Sequence, residues 1–116
     1  PIGGARLLGL DVERIVTAEV VLQIAPDIMP ERPLGQPPEL EVTRAFSAKE
    51  ALYKALYPLT RQFREFSAAH VDWPGGGPDR VTLTLTEDWG ADWPTGTTFD
   101  AAQRVAAGHV ITILWR

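Results

Sequence analysis

The chain has 116 residues, 45% of them hydrophobic and 22% charged, and it contains no cysteine. That length fits one domain with a modest core, and the absence of Cys excludes disulfides, thiolate catalysis and Cys-based zinc sites and fits a cytoplasmic protein. No apolar run is long enough for a membrane span, no signal peptide is recognisable, and a net charge of −4 argues against nucleic-acid binding. The chain opens at Pro1 and its one methionine is Met29, which is typical of a trimmed protein or a piece of a longer one.

The first elements are predicted from short local patterns. Residues 5–13 form an apolar run that ends in acids, which favours a buried strand. Residues 17–24 predict a short helix with Thr17 as its N-cap. The next segment, 25–38, holds so many prolines that we expect an irregular loop.

The strongest helix prediction lies in the middle of the chain. Residues 40–46 alternate as a strand does and lead into a helix from Ser47 to Tyr57, which Pro58 is expected to stop. Its predicted buried stripe consists of Ala51, Leu52, Ala55, Leu56 and Leu59.

The C-terminal half favours strands. Residues 66–72 and 80–86 are expected to flank a turn at 73–79, and a loop at 87–97 leads to a terminal hairpin of residues 98–106 and 109–115. The order of elements predicts an α+β fold in one domain over residues 1–116, with an antiparallel sheet packed against the Ser47–Tyr57 helix.

The first chemical constellation is Gly-Leu-Asp-Val-Glu at residues 9–13. On a strand Asp11 and Glu13 project from one face, while Leu10 and Val12 are expected to point into the core. Two adjacent carboxylates repel each other, and a hard cation such as Mg²⁺ relieves that repulsion by binding both. The alternative is a strand that simply ends in two exposed acids.

The second constellation surrounds Glu50. Glu50 and Lys54 are spaced to share a helix face, where a carboxylate can hold a metal or accept a proton and a lysine can neutralise phosphate charge. Two structural alternatives compete, namely a capping box between Ser47 and Glu50 and an ordinary surface ion pair between Glu50 and Lys54.

The surrounding charge is unusual for this acidic chain. Five basic residues oppose only Glu50 between positions 44 and 64, and they include both lysines of the chain. This segment predicts an anionic ligand or partner, although a solvated helix face is the alternative. The five are Arg44, Lys49, Lys54, Arg61 and Arg64.

The two motifs in this order resemble the signature pair of the 4′-phosphopantetheinyl transferases. The run Phe46 to Pro58 most resembles the siderophore-synthetase (enterobactin) type, and the ending Gly108 to Thr112 is similar to the final strand of that type. The resemblance spans nearly the whole chain but covers the C-terminal lobe of a two-lobed enzyme. It implies Mg²⁺-dependent transfer of phosphopantetheine from coenzyme A to a serine of an apo acyl or peptidyl carrier protein, with release of 3′,5′-ADP.

The resemblance also implies roles for individual residues. Asp11, Glu13 and Glu50 would be metal ligands, and Glu50 would deprotonate the carrier serine, directly or through a metal-bound water. Lys54 would hold the coenzyme A diphosphate with help from Lys49. Two-lobed members bring the groups for adenine and the 3′-phosphate from an N-terminal lobe, and single-lobe members form trimers, so a second lobe or a homo-oligomer is expected.

Two alternatives from other classes remain at this point. One is a non-catalytic module that binds a carrier protein through the basic 44–64 segment, and the other is an unrelated Mg²⁺-dependent phosphohydrolase. His70 and His109 are expected to be ordinary strand or turn residues, and Tyr53 and Tyr57 are expected to face a neighbouring lobe.

Overall fold

The computed structural model describes residues 7–30, 37–74, 77 and 79–116. The described residues form an α+β fold, as predicted, and none of their helices is long and apolar enough to cross a membrane. The elements in chain order are β1 (Leu8–Arg14), α1 (Ala18–Ile28), α2 (Pro38–Thr60), a 3-10 turn (Phe66–Ala68), β2 (Ala69–Asp72), β3 (Arg80–Leu85), β4 (Thr98–Ala106) and β5 (His109–Trp115).

The strands form one antiparallel sheet in the order β1-β5-β4-β3-β2. The predicted terminal hairpin is confirmed, and its turn residues Ala107 and Gly108 have φ angles of 53° and 75°. Positive φ at both positions gives a turn whose twist matches that of the flanking strands. The first strand pairs with the last, so that Asp11 lies opposite Thr112.

The prediction of a strand over 40–46 is wrong, because α2 begins at Pro38 and runs to Thr60. Proline suits the first turn of a helix, where its missing N–H is not needed. The buried side chains of Val42, Ala45 and Ala48 then continue the helical spacing into the stripe that begins at Ala51. The apparent alternation over seven residues was therefore part of a helical pattern.

The predicted stop at Pro58 is also wrong, since α2 continues past it for two residues. Arg61 caps the helix after Thr60, since its φ of 54° is left-handed and its N–H donates to the Tyr57 carbonyl at 2.8 Å. Leu59, which was expected in the buried stripe, is 60% exposed because it lies on the outer side of this last turn.

Helix α1 begins as predicted, since the Thr17 hydroxyl accepts from the Val20 N–H at 3.4 Å. It continues beyond the predicted end to Ile28 and includes Pro26, so the predicted loop over 25–38 is too long at its start. Residues 31–36 of that loop lie outside the described residues, as do 75, 76 and 78 of the turn predicted at 73–79.

Helix α2 packs on β1 and β5, and α1 packs on α2. The close approach of α2 to β1 depends on Gly9, because a Cβ there would lie 1.9 Å from the Ala51 carbonyl oxygen. Only glycine allows a backbone carbonyl this near a strand. The consequence is that the inward face of β1 lies directly against the middle of α2.

The helices cover the face of β1 that carries the two acids, so the expectation that Leu10 and Val12 enter the core is wrong. Both are 54% exposed, and Leu8 is 53% exposed. Their partners across the sheet are Trp115, Ile113 and Ile111 on β5. At β1 this apolar face of the sheet is therefore open to solvent among the described residues.

Candidate active site

The two motifs meet where the inward face of β1 lies against α2. Asp11 is 2% exposed, and the Lys54 ammonium donates to its Oδ1 at 2.7 Å. Glu13 lies two residues further along the same face, and Glu50 lies one helical turn before Lys54. The structure thus brings together residues that are 43 positions apart in the chain.

The lysine of this cluster remains charged. Its hydrogen bond to Asp11 is the main cause that raises the pKa of Lys54, and the charges of Glu50 and Glu13 add to the increase while desolvation opposes it. The simple surface pair between Glu50 and Lys54 is therefore not the main interaction. Instead, Lys54 bridges from α2 to the strand, and its side chain is about half exposed.

The two glutamates are destabilised in their ionised forms. Desolvation, followed by the hydrogen bond and charge of Asp11 and then by the charge of Glu50, raises the pKa of Glu13 from 4.5 to about 7, although Lys54 opposes this. Desolvation and Asp11 likewise raise the pKa of Glu50. Burial is the larger cause of both pKa shifts, and the neighbouring carboxylate charge, which one lysine only partly balances, adds to it.

The raised pKa of Glu13 predicts that stability falls with rising pH. In the unfolded chain Glu13 loses its proton near pH 4.5, whereas the folded protein keeps it to about pH 7. The stability that protonated Glu13 contributes is thus fully present below pH 4.5 and is lost as the pH rises through about 7. We expect Glu13→Gln to flatten this fall when the free energy of unfolding is measured by urea titration at several pH values.

The matched control for this prediction is Asp92→Asn, which removes an exposed carboxyl from the loop between β3 and β4. It should retain the pH dependence of the unaltered protein. A Glu13→Gln variant with the same slope as this control would show that Glu13 is not the titrating group.

The cluster fits a divalent cation in its donor chemistry. Asp11 Oδ2 is buried and has no hydrogen-bond partner among the described residues, so one hard oxygen ligand is available. After burial, the charge of Asp11 also raises the pKa of Glu13 and of Glu50, and a cation would relieve this second contribution. Within the described residues no three acidic, His or Cys side chains are already close enough to form a metal site.

The capping-box interpretation of Glu50 is wrong. Ser47 lies well inside α2, and its hydroxyl is 2.7 Å from the Thr112 hydroxyl on β5. Glu50 is therefore not held by a Ser47 amide at a helix start, and its carboxylate is available to the cluster.

Two of the five basic residues at 44–64, Arg44 and Lys49, are buried, so the segment does not form one continuous basic surface. Lys49 is 4% exposed, and its ammonium donates to the carbonyls of Ile28 and Phe66 at 2.7 and 2.8 Å. It therefore fastens α1 and the 3-10 turn to α2, a placement that does not match the expected contact with coenzyme A.

Arg44 is buried in a polar network on the other side of α2. It is 7% exposed, donates to Gln103 Oε1 at 2.8 Å and lies 4.2 Å from the centre of the Trp73 ring. Gln103 in turn donates to the Arg44 carbonyl and to the Thr112 hydroxyl. The network joins α2 to β4 and β5, so Arg44 supports the fold and offers no charge to a partner.

A small cavity adjoins Glu50 on the side of α2 that faces the loop after it. Its volume is about 80 Å³, and its lining includes Tyr53, Arg64, Glu65 and Trp89. Sequence reasoning did not assign these residues to the site. Tyr53 lies one turn after Glu50, a spacing that could have identified it, whereas Arg64 was noted only as one of the basic residues of 44–64.

The fold and this cluster together define an α+β domain that holds three carboxylates and a lysine between a sheet and a helix. Residues 7–113 match the 4′-phosphopantetheinyl transferase superfamily. The chain therefore belongs to that superfamily, and membership supports a phosphopantetheinyl transferase. A comparison with curated proteins found no match.

Proposed function

We propose that the chain takes part in Mg²⁺-dependent transfer of 4′-phosphopantetheine from coenzyme A to a serine of an apo acyl or peptidyl carrier protein. The observation that carries the proposal is the contact of Lys54 with buried Asp11 beside Glu13 and Glu50, in a chain of this superfamily. A phosphoryl-transfer site needs mainly positioned charge. This cluster supplies carboxylates and a lysine at one place.

In the proposed step Glu50 removes the proton from the carrier serine. The serine oxygen forms a bond to the phosphorus that carries the pantetheine arm, and the bond from that phosphorus to the bridging oxygen breaks. The leaving 3′,5′-ADP carries the bonding electron pair, and Lys54 balances its charge. A raised pKa suits Glu50 to accept a proton at neutral pH.

Asp11, Glu13 and Glu50 are the residues that would hold magnesium. When bound, the ion neutralises charge on the diphosphate and on the three carboxylates. Lys54 then has two proposed partners, Asp11 in the free protein and the diphosphate in the complex. The half-exposed side chain of Lys54 supports such an exchange, since the buried partner of the pair is Asp11.

The exposed apolar face of the sheet supports a second lobe or a homo-oligomer. Leu8, Leu10 and Val12 are each more than half exposed and lie in register with the apolar side chains of β5. A continuous apolar sheet face is typical of a surface that another protein layer covers. We propose that this layer supplies the adenine and 3′-phosphate contacts, as the resemblance to the siderophore-synthetase type implies.

The proposal is tested by intact-mass analysis of an apo carrier protein incubated with coenzyme A, Mg²⁺ and the chain. We expect the carrier to gain one phosphopantetheine group and EDTA to prevent the gain. A parallel reaction adds the N-terminal lobe of a two-lobed transferase. If no carrier is modified in either reaction, the proposed transfer is wrong, whereas modification only in the second assigns the remaining contacts to the added lobe.

A further inference from the structure

The strand next to β1 carries one buried polar side chain among apolar ones. Thr112 is fully buried on the inward face of β5, and its neighbours on that face, Val110 and Leu114, are fully buried as well. A valine would fill nearly the same space without a hydroxyl, and a buried hydroxyl is costly unless it is hydrogen-bonded. The hydroxyl of Thr112 therefore serves something other than burial.

Hydrogen bonds hold the Thr112 hydroxyl in one place. Its oxygen lies 2.7 Å from the Ser47 hydroxyl on α2 and accepts from Gln103 Nε2 at 2.9 Å. The Gln103 amide is itself fixed, because its second N–H donates to the Arg44 carbonyl and its Oε1 accepts from Arg44 Nε. Thr112 thus has two fixed partners, one on the neighbouring strand and one on the helix.

The pair formed by the hydroxyls of Ser47 and Thr112 lies beside the candidate site. Thr112 is directly opposite Asp11 on β1, and residues opposite each other in paired strands project from the same face. On α2, Ser47 precedes Glu50 by three residues and Lys54 by seven, so the three share one face of the helix. The helix and the sheet are thus joined by the hydroxyl pair and by the contact of Lys54 with Asp11.

These two links differ in stiffness. Lys54 reaches Asp11 through a long flexible stem, and its side chain is about half exposed. The hydroxyl pair joins two short, fully buried side chains. Apolar packing around it is not directional, whereas a hydrogen bond between hydroxyls requires oxygens about 2.5–3.0 Å apart. The hydroxyl pair is therefore the link that determines where α2 lies along the sheet.

We propose that Ser47 and Thr112 are positioning residues, whose hydrogen bond sets the place of α2 on the sheet and so keeps Lys54 and Glu50 within reach of Asp11. For its effect on transfer the inference rests on the proposed function. It assigns a share of the rate to two side chains that touch neither coenzyme A nor the carrier.

The test compares Thr112→Val with Thr112→Ser. Valine keeps the shape of the side chain and loses the hydroxyl, whereas serine keeps the hydroxyl and loses the methyl group. A role in packing alone makes the serine variant the more affected one, and a positioning role makes it the valine variant. Thr84→Val is the control, because Thr84 is a partly exposed residue of β3 on the opposite face of the sheet.

The first readout needs neither metal nor substrate. Lys49 and Lys54 are the only lysines in the sequence, so the ε-proton NMR signals of Lys54 can be assigned. Their nuclear Overhauser effects to the Asp11 β-protons report the contact between the two side chains. We expect these effects to be lost in Thr112→Val and retained in Thr112→Ser and in the control. Retention in Thr112→Val, or loss in both Thr112 variants, overturns the proposal.

A second variant guards against misfolding. Ser47→Ala removes the same hydrogen bond from the helix side, and alanine favours the helix more than serine does. We expect Ser47→Ala to fold and to lose the contact between Lys54 and Asp11 as Thr112→Val does. A folded Ser47→Ala protein that retains the contact counts against the proposal.

The second readout is binding of Mn²⁺ alone, followed by electron paramagnetic resonance, together with kcat for transfer in the presence of the added lobe. Residues that orient metal ligands change metal affinity or activity by about tenfold or more. We expect both quantities to fall about tenfold in Thr112→Val and to stay within about twofold in Thr112→Ser.

The outcomes separate this inference from the proposed function. If the unaltered chain with the added lobe transfers nothing, the proposed function fails, and the Overhauser effects alone decide whether the hydroxyl pair holds the contact. If the unaltered protein is active and Thr112→Val equals Thr84→Val in kcat and in Mn²⁺ affinity, the positioning role alone is overturned.

Discussion

Glu50→Gln is expected to abolish phosphopantetheine transfer while leaving the fold intact. Glutamine retains the shape of the side chain but cannot accept the serine proton, and it is a poorer ligand for a hard cation. Loss of a general base alone lowers rates about 10²- to 10⁴-fold. The measurement is the initial rate of carrier modification by intact mass under conditions in which the unaltered protein is active.

The stability of Glu50→Gln separates a chemical effect from a structural one. Burial and Asp11 raise the pKa of Glu50, so its ionisation opposes folding at neutral pH. A neutral side chain removes that cost, and we expect the variant to unfold at the same or a higher urea concentration.

The matched control is Glu65→Gln, since Glu65 borders the same cavity but is exposed and lies outside the carboxylate cluster. Transfer by this control should remain within about twofold of the unaltered rate, because surface substitutions outside such features have small effects. Equal rates in Glu50→Gln and Glu65→Gln would show that Glu50 is not the base.

The elements that local sequence determines were predicted well. The Thr17 cap, the terminal hairpin and strand β3 each follow from a pattern of a few adjacent residues. The start of α2 was not predicted, because residues 40–46 fit both the alternation of a strand and the spacing of a helix. Only the continuation of the buried stripe from Val42 to Leu56 distinguishes them.

The residues of the candidate site follow from the sequence, whereas their contacts do not. The sequence indicates that Asp11 and Lys54 matter, yet their contact depends on the approach of β1 to α2, which is a tertiary property. The burial of Lys49 could not be predicted, since its acceptors are the backbone carbonyls of Ile28 and Phe66. Every residue carries such a carbonyl, so local sequence gives no signal for this pairing.

The exposed face of β1 shows why a strand of alternating character is ambiguous. Its apolar residues Leu10 and Val12 and its acids Asp11 and Glu13 occupy opposite faces, and hydrophobicity alone assigns the apolar face to the core. The helices instead cover the acidic face, because Gly9 on that face admits α2. The carboxylate cluster at the core boundary thus reverses the ordinary pattern.

Among Gly→Ala substitutions at the described glycines, Gly9→Ala is expected to lower the free energy of unfolding the most. The new Cβ would lie 1.9 Å from the Ala51 carbonyl oxygen and 3.1 Å from the Ala55 Cβ. The first contact is with helix backbone, which cannot rotate away as a side chain can. Strand β1 must therefore move from α2, at a cost of about 3 kcal/mol in the free energy of unfolding, the upper end for overpacking.

The same substitution tests the site, because Asp11 lies two residues from Gly9 on the same face of β1. A displaced strand lengthens the contact between Asp11 and Lys54, so transfer should fall even in molecules that remain folded. The control is Gly77→Ala, whose new Cβ would meet Asp79 Oδ1 at an ordinary 3.4 Å. That control should unfold within about 0.5 kcal/mol of the unaltered protein in urea. If Gly9→Ala were equally stable and equally active, β1 and α2 would not approach as closely as the site requires, and the carboxylates and the lysine would have to be brought together by some other packing of the strand.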